Sequence, residues 1–169
     1  MSLERNLKML QDIHKACREP LFAVLANLTY EQLYWKPAPE SRSIGEILRH
    51  LIRVDMWFLA RLGYDPAVRD KKDAKTDEII QMLQSTFEQI DSILHSCKDE
   101  KELLKKVESN DNIRYNSLSA MIMHVSQHYT YHLAQAVYLR RAQDRNWEAP
   151  LKGWENATDS IAQHLWMNK

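Results

Sequence analysis

Apolar residues recur at helical spacing in four long stretches of the 169-residue chain. The first, through Leu7, Leu10, Ile13, Cys17, Leu21, Val24 and Leu28, predicts a helix over about Leu3 to Leu28, with a kink or break at Pro20. Thr29 and Gln32 have capping-box spacing and open a short turn ending near Trp35; the proline-bearing KPAPESR that follows reads as a loop. Ser43-Ile44-Gly45-Glu46 is a second capping box. It starts a helix carrying Ile44, Ile47, Leu48, Leu51, Phe58 and Leu62 and ending near Gly63. After a polar linker over 65–75, Thr76 with Asp77 and Glu78 opens a third helix bearing Ile79, Ile80, Leu83, Phe87, Ile90 and Leu94. A charged stretch, 98–116, holds one short helix around Leu103 to Val107. The fourth long helix runs from near Ser117 to about Asn146, with a stripe of Leu118, Met121, Ile122, Val125, Tyr129, Ala136 and Leu139. A tail with Trp147, Trp154 and Trp166 ends in a short helix from Thr158.

Strand-type alternation is absent, and glycine (3) and proline (5) are few. The expected fold is all-α: one four-helix-bundle domain over 1–169, with short extra helices in the connections and C-terminal tail.

Composition narrows the function. Lys plus Arg (23) equals Asp plus Glu (23), so no surplus charge draws the chain to nucleic acid or an acidic membrane. The pair Arg140-Arg141 reads as helix-end charge favoured by the helix dipole. Cys17 and Cys97 form no CxxC motif, belong to no disulfide framework and have no local cue for a lowered pKa. The opening MSLERNLKMLQD is charged and lacks an apolar h-region, and no apolar run reaches the roughly 18 residues that span a bilayer. A cytoplasmic protein with a small-molecule substrate is the expectation.

The chemistry concentrates in HVSQHYTYHLAQ, where His124, His128 and His132 stand four residues apart. His128 and His132 fall within or beside the apolar stripe, and two imidazoles at i and i+4 on one helix face chelate one divalent ion. His124 lies about 40° further round than His128. A third ligand must come from elsewhere. His50, on the flank of the second helix near Val54 and Trp57, points toward a neighbouring helix, while His14 and His95 are further candidates. Asp55 falls inside the second helix's apolar arc. It is either a catalytic base or a carboxylate orienting a ligand histidine, or a structural hydrogen-bonder to a Tyr or Arg on another helix. Gln135 reads as a buried interhelical hydrogen-bonder. Tyr129, Tyr131, Met121, Met123 and Trp57 are candidates for a pocket beside the histidines, against the simpler reading of core.

Two separated motifs, SIGEILRHLIRVDMWFL and HVSQHYTYHLAQAVYLR, resemble the DinB/YfiT-like superfamily of metal-binding four-helix bundles, the second matching its H-x-x-x-H-R-G-Q helix. The resemblance spans about 31 to 140, including the turn EQLYWKPAPESR. It implies a three-histidine metal site at His50, His128 and His132, with His124 matching a histidine not usually counted as a ligand. The family's Arg-Gly is Leu133-Ala134 here, and Gln135 is kept. It further implies a metal-dependent hydrolase or a low-molecular-weight-thiol S-transferase (bacillithiol or mycothiol as co-substrate), and a homodimer. Three imidazoles leave positions open on the metal, as catalytic sites do, and suit Zn or Ni foremost, with Co or Cu(II) also possible. The alternative is a non-catalytic metal-binding or stress-response module, distinguished by whether the metal faces an open pocket.

Overall fold

The computed structural model describes residues 3–106 and 117–149, with 152, 155, 156, 158, 159, 162 and 163 from the C-terminal stretch. Six helices appear among the described residues: α1 (Leu3–Leu25), α2 (Tyr30–Tyr34), α3 (Ile44–Arg61), α4 (Thr76–Ser96), α5 (Glu100–Leu104) and α6 (Leu118–Gln143). None of them is long and apolar enough to cross a membrane. The short helix predicted from Thr158 lies largely outside the described residues, as do Val107 and the rest of 107–116. An antiparallel bridge between Lys106 and Ser117 brings the two ends of that segment together.

The caps act where the sequence places them, with one exception. The Thr29 hydroxyl accepts from the Gln32 N–H, and the Gln32 side chain accepts from the Thr29 N–H. Ser43 and Glu46 repeat the exchange at α3. At the far end of α3, Gly63 (φ 85°) lets its N–H reach the Ala60 carbonyl while Tyr64 N–H reaches Leu59, a two-bond C-terminal closure that needs a left-handed residue. Thr76 does not cap α4. The Lys75 N–H instead donates to Glu78, and the Thr76 hydroxyl donates to the Leu28 carbonyl at 3.0 Å, tying the start of α4 to the chain leaving α1.

α1 departs from expectation twice. It continues unbroken through Pro20, which is buried with the stripe around it, so packing outweighs the missing backbone hydrogen bond. It also stops at Leu25, because Asn27 turns the chain at φ 60°; Leu28 is buried from beyond the helix end. Arg140 is likewise more than dipole-favoured charge. It donates to the Val24 carbonyl in the last turn of α1, and its guanidinium lies 4.6 Å from the Trp147 ring centre. α6 ends at Gln143, and α5 begins at Glu100 behind an Asp99 cap.

α1 packs on α6 and α4, and α3 packs on the same two helices. The ring order is therefore α1–α6–α3–α4, a four-helix bundle in which both long connections join opposite corners. Its core includes Leu21, Leu25, Leu48, Leu51, Ile79, Leu83 and Tyr129, all essentially without exposed surface. Each such Leu or Ile contributes roughly 1.5–3 kcal/mol by leaving water. α2 docks on α3 at Gly45, where a Cβ would come within 2.8 Å of the Tyr34 ring. That ring cannot swing away freely, since its hydroxyl donates to the Ala74 carbonyl at 2.8 Å. The contact fixes the first turn of the helix that carries His50. Cys17 and Cys97 are free thiols, and burial pushes both above the ordinary thiol range.

Candidate metal centre

Because α3 and α6 are neighbours in the ring, His50 faces the histidines of α6. His50 Nε2 lies 3.3 Å from His128 Nε2, and His132 Nε2 lies 2.9 Å from the same atom. The ligand-capable nitrogens of all three fall within 4.8 Å of one another. Two nitrogens each about 2.05 Å from one ion stand roughly 2.9 Å apart at a right angle and roughly 3.4 Å apart at the tetrahedral angle. The two spacings to His128 match that range. Facing nitrogens this close hold at most one proton between each pair, whereas three lone pairs aimed at one cation satisfy them all.

The protonation states suit ligation. Burial, followed by the neighbouring imidazoles His132, His50 and His124, pushes His128 down to about 4. Burial also lowers His50, helped by His132, Arg42 and Arg53. His132 is lowered by burial first and by Arg42, against a hydrogen bond to Gln135 that raises it. All three rings are therefore neutral at pH 7 and need not lose a proton to bind a metal.

Gln135 has a role that the sequence reading missed. Its side-chain oxygen lies 2.7 Å from His132 Nδ1 on the same helix, so Nδ1 keeps the proton and Nε2 turns its lone pair to the cluster. The available signal was the i, i+3 spacing from His132. Gln135→Ala is expected to weaken zinc affinity about 10–100-fold, and Gln135→Glu, which keeps the acceptor, to preserve it. Competition with a chelating indicator measures both; an Ala variant with wild-type affinity would remove Gln135 from the site.

The other candidates fall elsewhere. His124 stacks on His128 (centroids 5.7 Å apart) and meets Phe58 edge-on, supporting the cluster from the side. His14 is buried near α4, where Arg18 donates to its Nδ1 and also to Asp91. Burial alone would raise Asp91, but the nearby His14 ring and the bond from Arg18 bring it down to about 2. The His95 ring sits 2.7 Å from the Asp91 carbonyl in its own helix.

Asp55 is sealed in the core. Its carboxyl accepts from the Tyr129 hydroxyl at 2.5 Å and lies 3.1 Å from the Thr86 hydroxyl. These hydroxyls are on α6 and α4, the arrangement of a structural interhelical hydrogen bond.

A cavity of about 860 Å³ opens beside the cluster. Ile47 and His50 of α3, Tyr131, His132 and Tyr138 of α6, and Arg42 of the preceding loop contribute to its wall. Of the aromatic and methionine residues considered from the sequence, Tyr131 alone is in this wall. Tyr129 and Met121 are core, Met123 faces a separate groove near α5, and Trp57 stacks with Arg61. Positions two apart on a helix lie about 200° apart, so 129 and 131, like 121 and 123, cannot share a face.

A family model described as DinB superfamily matches residues 13–136, well over half of the chain. The chain belongs to the DinB superfamily. Neither the curated proteins nor the solved structures gave a match. The DinB match runs from Ile13 on α1 to Ala136 on α6 and includes all three clustered histidines. Where the DinB motif is written with Arg-Gly, this chain buries Leu133 in its core and gives Ala134 to the cavity wall.

Proposed function

We propose that this DinB chain is a metal-dependent enzyme of the low-molecular-weight-thiol S-transferase type, with a divalent ion, Zn or Ni, held by His50, His128 and His132. The observation that carries this reading is the large cavity opening onto His50 and His132, where a closed structural site would be sealed. When bound, the ion supplies Lewis acidity that favours the ionised form of a thiol or a water. The chain does the rest. Gln135 holds the proton on His132 Nδ1, and the neutral imidazoles keep their lone pairs toward the cluster. Tyr131 packs edge-on against His132, with ring centres 5.0 Å apart.

Thiol transfer is favoured over hydrolysis by the composition of the wall. Among its described residues there is no carboxylate to take a proton from water, and Asp55 is sealed away with Tyr129 and Thr86. A thiol that enters as its thiolate brings its own nucleophile. Its proton goes to solvent, sulfur bonds to the electrophilic carbon, and the leaving group departs with its electron pair.

The test is conjugation of monochlorobimane with L-cysteine, glutathione or bacillithiol, beside hydrolysis of p-nitrophenyl acetate, in metal-loaded and metal-depleted protein. Metal-dependent conjugation with at least one thiol is expected. Hydrolysis without conjugation would contradict the transferase assignment; neither activity in loaded protein would leave a non-catalytic metal-binding module.

A further inference from the structure

Around the cavity most cations are already engaged. Lys36 pairs with Glu46 at 2.7 Å, while Arg49 and Arg53 both hold Asp70 at 2.8 and 2.9 Å. Arg42 differs. It lines the cavity, yet makes no hydrogen bond or ion pair among the described residues. It also borders a smaller concavity lined by Lys36, Glu40, Glu46, Arg49 and Arg53, while the main cavity wall has no carboxylate among its described residues. Arg42 is the one Arg, Lys, Asp or Glu among the described residues of that wall. The remaining surface is largely apolar or aromatic: Pro37, Ile47, Leu139, Tyr131 and Tyr138.

We propose that Arg42 is a specificity-determining residue that pairs with the carboxylate of a small organic acid, whose apolar body lies along Tyr131 and Tyr138 toward the histidine cluster. The planar guanidinium fork matches a carboxylate with two parallel N–H···O bonds. One guanidinium balances one carboxylate. Part of the acid's hydration is replaced by a wall that has no competing negative charge, which strengthens the pairing. This inference rests on reading the cavity as the substrate site, but not on the metal being present.

The experiment titrates 4-phenylbutyrate and its neutral isostere 4-phenylbutanamide into the full chain by calorimetry, metal-loaded and metal-depleted. Wild type, Arg42→Gln and Arg42→Lys are compared, with metal content measured on each. Wild type is expected to prefer the acid roughly tenfold or more in both metal states. Arg42→Gln brings the preference close to unity, Arg42→Lys keeps part of it, and metal content is the same in all three. Arg42 is exposed and outside the core, so these variants fold. Equal affinity of wild type for acid and amide would overturn the proposal. So would a preference seen only in loaded protein and kept in Arg42→Gln, because the carboxylate would then sit on the metal. Failure of every protein to take up metal would count against the enzyme reading alone, and the metal-depleted titrations would still decide the role of Arg42.

Discussion

His128→Ala is expected to keep its helices and to lose tight divalent-metal binding. His128 Nε2 is the nitrogen shared by both close contacts, 3.3 Å from His50 and 2.9 Å from His132, so its removal takes away the middle of the cluster. Apparent zinc binding of roughly 10–16 kcal/mol in structural sites implies about 3 kcal/mol or more per ligand, or more than a hundredfold in affinity. The fold is expected to survive, because His128 is half-buried at the cavity side of α6 while the core stripe of Met121, Ile122, Val125 and Tyr129 is intact. His132→Ala behaves alike. His124→Ala is the informative control: its ring stacks on His128 without joining the cluster, so most of the affinity remains. Circular dichroism and zinc titration against a chromophoric chelator check all three. Equal losses in His124→Ala and His128→Ala would mean that the three evenly spaced histidines of α6 form the site by themselves.

The second large effect concerns Asp55. Burial raises its carboxyl to about 7, despite opposing hydrogen bonds from Tyr129 and Thr86. The local geometry accommodates a neutral acid. The Thr86 hydroxyl has one hydrogen and two acceptors in reach, Leu83 O at 3.0 Å and Asp55 Oδ2 at 3.1 Å. A protonated Asp55 donates to Thr86 Oγ1, Thr86 donates to Leu83, Tyr129 donates to Asp55, and every group is paired. The folded state thus holds a proton that the unfolded chain releases near pH 4. This contribution to stability is complete below the unfolded pKa and is lost as pH rises through about 7. A three-unit shift corresponds to about 4 kcal/mol at most.

Asp55→Asn keeps a donor toward Thr86 and an acceptor for Tyr129 without a titration. Urea unfolding of wild type and Asp55→Asn from pH 4 to 8 is expected to show Asn gaining several kcal/mol relative to Asp across that range. Histidine titrations, present in both chains, cancel in the difference. A difference independent of pH would contradict a neutral buried Asp55. Asp55→Ala leaves the buried Tyr129 hydroxyl without its acceptor and is expected to cost about 2–4 kcal/mol at pH 4, and less as pH rises through about 7.

The bundle was legible because its signals are local. Apolar stripes repeat every three or four residues, and Ser43 with Glu46 and Thr29 with Gln32 cap within a single turn. The pairing of His128 with His132 was legible for the same reason. Bringing in His50 depended on ring order, which periodicity does not encode; family resemblance supplied it. Other features were settled by partners distant in sequence. A buried acid was evident at Asp55, but Tyr129 is 74 residues away. Pro20 predicted a break that burial of α1 overrides, and Thr76 lost its cap role when its hydroxyl found the Leu28 carbonyl. The place of Arg42 in the cavity wall was not legible, because it belongs to a loop, where no period assigns a face.

X-ray absorption at the metal edge of zinc-loaded protein, purified without a histidine tag, examines the site itself. One ion per chain, with three imidazole nitrogens at about 2.0–2.1 Å in wild type and a lost or rebuilt shell in His128→Ala, is the expected result. No stoichiometric metal, or the same shell in both proteins, would contradict a centre built from His50, His128 and His132.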